Sequence, residues 1–228
     1  MKQFLICFAI LYSVNVMAQN KVDNQLMSWW NLNVEYSLSD KMSISSLYSW
    51  RRADVIENWQ QSLLRIGANY KATSSLNLTL GYDWVITFPY GKLPIDKKFT
   101  EHRIFEQIIL KQNVWKFTVK HRYRFEQRFF NNTNNIKHRF RYRLGLSLPI
   151  DKNKWALQVF DELFVNYGPN TNNHTFDQNW IYGGFLYKLK PNLGIKLGYM
   201  NQYILKSDTT KSENNPSIQL GLSLKFDK

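Results

Sequence analysis

The sequence predicts an all-β protein, a single antiparallel transmembrane β-barrel of ten to twelve strands. The first observation is the stretch 115–149. Trp115, Phe117, Val119, His121, Tyr123 and Phe125 alternate with Lys116, Thr118, Lys120, Arg122, Arg124, Glu126 and Arg128. After a run of asparagines the pattern resumes, with Ile136, His138, Phe140, Tyr142, Leu144, Leu146 and Leu148 set against Lys137, Arg139, Arg141, Arg143, Gly145 and Ser147. Period-two alternation puts the apolar set on one face of a strand and the charged set on the other. The second observation is length. These runs exceed the usual strand of about five or six residues and reach the roughly ten that cross a bilayer when tilted. A membrane accepts strands only as a closed barrel, because an open edge leaves backbone groups unpaired in hydrocarbon. The third is that short turns alternate with longer polar connections, the habit of outer-membrane barrels.

Taken in order, residues 19–25 are polar and irregular. Strand one (26–36) carries Leu26, Trp30, Leu32, Val34 and Tyr36 on one face, and strand two (41–52) carries Met42, Ile44, Tyr48 and Trp50. Strand three (59–70) sets Leu64, Ile66, Ala68 and Tyr70 against Gln61, Arg65 and Asn69. Strand four is the clearest, with Leu76, Leu78, Leu80, Tyr82, Trp84 and Ile86 alternating with Asn77, Thr79, Gly81, Asp83, Val85 and Thr87. Strand five (100–110) holds Glu101, Arg103, Glu106 and Gln107 without a clear phase. The central pair follows, then strand eight (155–166), in which Trp155, Leu157, Val159, Leu163 and Val165 oppose Gln158 and Glu162. Strand nine (176–188) again lacks a clear phase. Strand ten (193–204) shows Leu193, Ile195, Leu197 and Tyr199, and the last (217–226) shows Ile218, Leu220, Leu222, Leu224 and Phe226. The short turns fall at 37–40, 71–75, 111–114, 150–154 and 189–192; the longer connections are 53–58, 89–99, 129–136, 167–175 and 205–216. Eleven strands are read, although bacterial barrels favour an even number, which points to ten or twelve.

Residues 1–18 read as a cleaved signal peptide: Lys2, an apolar run from Phe4 to Val16, and small-residue spacing up to Ala18. Export by this route leaves one domain, 19–228, mature from Gln19. Removing 18 of the 228 residues and the charge of Lys2 leaves 210 residues with a net charge of +12 instead of +13. Cys7, the single cysteine, lies in the leader, so the mature chain offers no thiolate or disulfide. The aromatic content of 16% suits interfacial girdles, with Trp115, Trp155 and Trp50 at strand ends. A mean hydropathy of −0.43 fits a wall with one polar face.

Several of these runs resemble one family. They are His121-Arg122-Tyr123-Arg124-Phe125-Glu126-Gln127-Arg128 and Arg139-Phe140-Arg141-Tyr142-Arg143; Glu101-x-Arg103 with Glu106-Gln107; Asp161-Glu162-x-Phe164; Phe176-Asp177-Gln178-Asn179; and Gly198-Tyr199-Met200 with Gln202. In this order they resemble the bacterial family catalogued as domain of unknown function 2490. The resemblance implies a Gram-negative outer-membrane barrel and no established activity.

In a barrel the apolar face meets lipid, so the alternate residues face inward. That places Lys116, Lys120, Arg122, Arg124, Arg128, Lys137, Arg139, Arg141 and Arg143 in the lumen, with Glu101, Glu126 and Glu162 as acidic partners. Facing lipid at mid-membrane costs about 2–4 kcal/mol per basic residue, which excludes the reverse orientation. The anion candidates are Arg122, Arg124, Arg128, Arg139, Arg141 and Arg143, whose guanidinium forks match carboxylates and phosphates. The expected function is a small anion-preferring channel passing small anionic solutes or acidic oligosaccharides. The alternative is a barrel plugged by its own Arg–Glu–Tyr contacts, serving structure or surface binding. His121 shares the lipid-facing parity, which calls for a bulge or a hydrogen bond to a neighbouring strand.

An outer-membrane lipid-modifying enzyme is the remaining rival. His121-x-Tyr123, His138-x-Phe140 and His174-x-Phe176 lack the serine of a His-x-Ser pair, and Glu101, Glu106 and Glu162 read more simply as arginine partners. The sequence therefore predicts no enzyme, no cofactor and no metal ligand set. The expected partners are outer-membrane lipid and the barrel-assembly machinery, and nucleic acid is not among them.

Overall fold

The computed structural model describes residues 21–88, 98–151, 154–171, 174–207, 209 and 211–228. The expected leader, with Cys7, lies outside these, as does most of the connection 89–99. A short segment β1 (Lys21–Asn24) precedes eleven long strands: β2 (Met27–Ser37), β3 (Met42–Ala53), β4 (Asn58–Lys71), β5 (Leu76–Thr87), β6 (Phe99–Val114), β7 (Phe117–Phe130), β8 (Lys137–Pro149), β9 (Trp155–Tyr167), β10 (Phe176–Lys190), β11 (Leu193–Leu205) and β12 (Lys211–Asp227). Each pairs antiparallel with the next, and β12 returns to β2, closing the wall.

The strand count corrects the expectation of an even number. When neighbours all alternate in direction, an odd total leaves the first and last strands pointing the same way. The closing pair must then be parallel, as β12 is with β2 from Ser217↔Met27 to Asp227↔Ser37. β1 extends the same parallel line, with Lys21 opposite Lys211. Followed both ways around the wall from Leu32, the chain of strand partners meets on β9 with an offset of about fourteen residues, the shear of a steeply tilted, narrow barrel.

The exposure pattern is inverted relative to a soluble domain. Leu80 is 60% exposed and Leu197 56%, while Asp83, Glu126 and Glu162 are 0% exposed. A continuous apolar outer wall of this kind marks a surface that meets something other than water. Aromatic chains run along it. Trp30, Trp50, Trp59 and Phe88 contact in series toward the longer connections, and Trp155 stacks on Tyr187 at 4.6 Å near the short turns.

Several boundaries differ from the sequence reading. Trp115 and Lys116 form a two-residue turn outside the strands, so Lys116 is not a lumen residue. Its ammonium lies 5.1 Å over the Trp115 ring, which is 81% exposed. Two-residue hairpins need positive φ, and Trp115 supplies it at 54°, where glycine or asparagine is usual. The connection 205–216 shrinks to 206–210, because Ser212, Glu213 and Asn215 belong to β12. Polar on both faces, that stretch hid its strand character, yet it pairs with both β11 and β1. Lys137 opens β8 at the rim and stands exposed beside Phe130.

Parallel closure has a consequence for sidedness. Met27 enters the wall at the end with the longer connections, and Asp227 leaves it at the short-turn end. An epitope placed directly before Lys21 is expected to be cleaved by the same external protease that cuts one placed at 131–135. An epitope after Lys228 is expected to survive. Cleavage of the terminal epitopes from the same side would contradict the parallel closure.

Candidate functional site, the charged interior of the barrel

β6 to β9 bring together the residues that alternation assigned to the lumen. Glu126 on β7 accepts from Arg139 Nε and Nη2 at 2.8 and 2.6 Å through one oxygen, and from Arg141 Nη1 at 2.7 Å through the other. Glu162 on β9 accepts from Arg141 Nε at 2.9 Å, from Arg143 Nε at 2.8 Å and from Arg122. Glu101 accepts from Arg103 Nε at 2.6 Å and Nη2 at 2.7 Å and also from Arg128. The three acidic partners expected from sequence therefore each hold two or more arginines.

Glu106 does not. It follows the outward parity of His102, Ile104 and Ile108 and is exposed, so it is no arginine partner. The phase of β6 looked ambiguous because an inward Phe105 and an outward Glu106 reverse the usual assignment.

Two further acids complete the network. Asp83 on β5 is held by both forks of Arg65 at 2.6 Å, its register partner on β4. Asp177 accepts from Arg139 Nη1 at 2.9 Å. A register shift between Phe176 and Gln178 inserts Asp177 as an extra residue in β10. Such a bulge re-aims one side chain, which explains both the unreadable phase of this strand and the inward carboxylate.

Aromatic rings fill the space between the charges. Trp29, Phe164 and Trp180 are buried, with Trp180 4.6 Å from Phe164 and edge-on to Trp29 at 5.1 Å. Arg51 lies 3.7 Å over Trp29, Arg141 4.2 Å over Phe164 and Arg143 3.8 Å over Phe160. These cation–π contacts suit guanidinium, which stacks on aromatic faces. Alternation alone assigns such rings to the outer wall, so the aromatic part of the interior went unread.

Arg124 differs from its neighbours. It is 2% exposed, donates to Gln107 Oε1 at 3.0 and 2.6 Å, and lies 4.1 Å over the Phe105 ring, with Glu126 at 3.8 Å. It is covered, whereas Arg122, Arg128, Arg139, Arg141 and Arg143 line a cavity of about 810 Å³. That cavity reaches from Thr87 and Phe99 at the long-connection end to Asn33, Thr118 and Ser147 at the short-turn end.

His121 has its hydrogen bond. Nδ1 lies 2.8 Å from Tyr142 Oη across the β7–β8 pair, and the register there runs unbroken, so no bulge is involved. His102 contacts Tyr82, His138 packs on Tyr167, and His174 Nε2 reaches the Leu205 carbonyl at 2.7 Å.

The family model for proteins of unknown function DUF2490 matches residues 26–213. The chain belongs to this family. The match runs from the residue before β2 to the third residue of β12, so it covers every long strand of the wall but most of β12. Among curated proteins none matches the sequence. Among solved structures, the barrel is similar to one described as the NanC porin in a rhombohedral crystal form, with a TM-score of 0.54 and 11% identity. The superposition covers 88% of this chain and 98% of that one. At that identity the likeness is one of fold: this DUF2490 member is a closed β-barrel.

Proposed function

We propose that this DUF2490 protein is an outer-membrane barrel whose basic interior admits small anions in preference to cations. The observation that carries the reading is the cavity running from one end of the wall to the other past eight arginines. The balance of charge around it is positive. Arg51, Arg65, Arg103, Arg122, Arg124, Arg128, Arg139, Arg141 and Arg143 point inward, with Lys120, Lys196 and Lys206 on the cavity wall, against Asp83, Glu101, Glu126, Glu162, Asp177 and Glu213. A low-dielectric wall focuses that excess onto the passage, raising the local concentration of anions. The apolar outer wall fits a bilayer, and an outward ammonium or guanidinium there costs what an inward one avoids.

A plugged barrel is the second reading, favoured by the density of internal ion pairs and by the Trp29–Phe164–Trp180 cluster. Liposome swelling separates the two. Vesicles loaded with the folded protein are expected to swell faster in a small carboxylate salt than in the matching salt of an organic cation of equal size. Equal, background-level swelling in both supports the plug.

A further inference from the structure

The arginines of the upper and middle interior are largely committed to the protein's own carboxylates, whereas two lysines below them are not. Lys120 is the fourth residue of β7 and Lys196 the fourth of β11, so both stand a few residues above a short turn, with three strands between them. Both line the same cavity. Neither has an ion-pair partner among the described residues, and Glu162 is already shared by Arg122, Arg141 and Arg143. Glu35, at the short-turn rim, is exposed, accepts from Ser43 at 3.0 Å and is not part of the cavity wall.

The rest of this section is built to leave room. Asn31, Asn33, Gln158 and Gln219 present neutral amides to the cavity. Gly145 and Gly221 carry no side chain, and a Cβ on either would meet nothing closer than 3.8 and 3.4 Å. Arg143, its side chain 25% exposed, looks into the same space from above. Unpaired ammonium groups lining one confined cavity repel each other unless an anion sits between them.

We propose that Lys120 and Lys196 form a binding site for a small phosphate-bearing solute in the short-turn half of the lumen, with Arg143 as its third cation. Lysine serves phosphate as a compact point charge, while the flat guanidinium forks suited to carboxylates are occupied. The amides offer hydrogen bonds to hydroxyl groups on such a solute. The site rests on the reading of the interior as an anion-handling lumen and assigns that lumen a place where the anion pauses.

The test is calorimetric titration of the refolded, detergent-solubilised protein with inorganic pyrophosphate, which needs no current through the barrel. Saturable binding at one site is expected, weakening as salt is raised. Lys120→Gln and Lys196→Gln are each expected to weaken it about tenfold, the scale of one charged hydrogen bond, and the pair to abolish it. Lys120→Arg with Lys196→Arg keeps the charges and should still bind, which guards against a fold defect in the glutamine pair. Lys116→Gln and Lys137→Gln, in the turn and at the opposite rim, should bind like the parent. No heat with the folded parent protein, or equal affinity in the glutamine pair, overturns the site. Anion-selective current without pyrophosphate binding refutes the site and leaves the channel standing, whereas binding without current does the reverse.

Discussion

Replacing Glu162 by glutamine is expected to lower the unfolding free energy by about 3–5 kcal/mol, the usual cost of removing one partner from a buried ionic cluster. Glu162 is fully buried and is the common acceptor for Arg122, Arg141 and Arg143. The amide keeps the shape but cannot accept three guanidinium groups, and two of its protons face donors. Arg141 retains Glu126 at 2.7 Å, so the loss falls mainly on Arg122 and Arg143. Urea titration, followed by the shift between folded and boiled forms on a gel, measures it. The variant that does fold should favour anions more strongly than the parent, because one internal negative charge has gone. A loss below about 1 kcal/mol would mean that Glu162 is not the hub the geometry describes.

Gly81→Ala is expected to be strongly destabilising for so small a substitution. A Cβ there would lie 2.2 Å from Phe105 Cζ, 2.6 Å from Cε1 and 2.9 Å from the Ile66 carbonyl oxygen. The ring must move, and overpacking of this kind costs about 1–3 kcal/mol. Phe105 also lies 4.1 Å from Arg124 and 5.0 Å from Arg65, so displacing it uncovers a guanidinium whose Nη1 has no hydrogen-bond partner among the described residues. Phe105→Leu in the Gly81→Ala background should recover part of the loss, giving a non-additive double-mutant cycle. Simple additivity would show that the two residues do not collide.

The two central strands were legible because their outward positions are mostly aromatic or aliphatic and their inward positions mostly basic. The same alternation exposed β5, and with it Asp83, whose cross-strand partner Arg65 needed only the register to be recognised. β6 and β10 were opaque for separate reasons. Phe105 and Trp180 are apolar residues pointing inward, and the bulge at Asp177 breaks the period of two that any alternation argument depends on. The aromatic half of the interior could not be read at all, since a ring buried against a guanidinium carries the same letter as one facing lipid. Strand parity was also beyond local pattern, because the parallel β2–β12 closure joins residues at opposite ends of the chain.

The direction of ion preference tests the central claim most directly. Folded protein is inserted into a planar bilayer across a potassium chloride gradient, and the reversal potential is read from single-channel steps. The charge balance of the interior predicts a potential on the chloride side of zero, moving toward zero when Arg122 and Arg143, which line the cavity, are changed to glutamine. A cation-selective potential, or silence from protein shown by gel shift to be folded and inserted, would contradict it and leave the ion-paired interior as a structural plug.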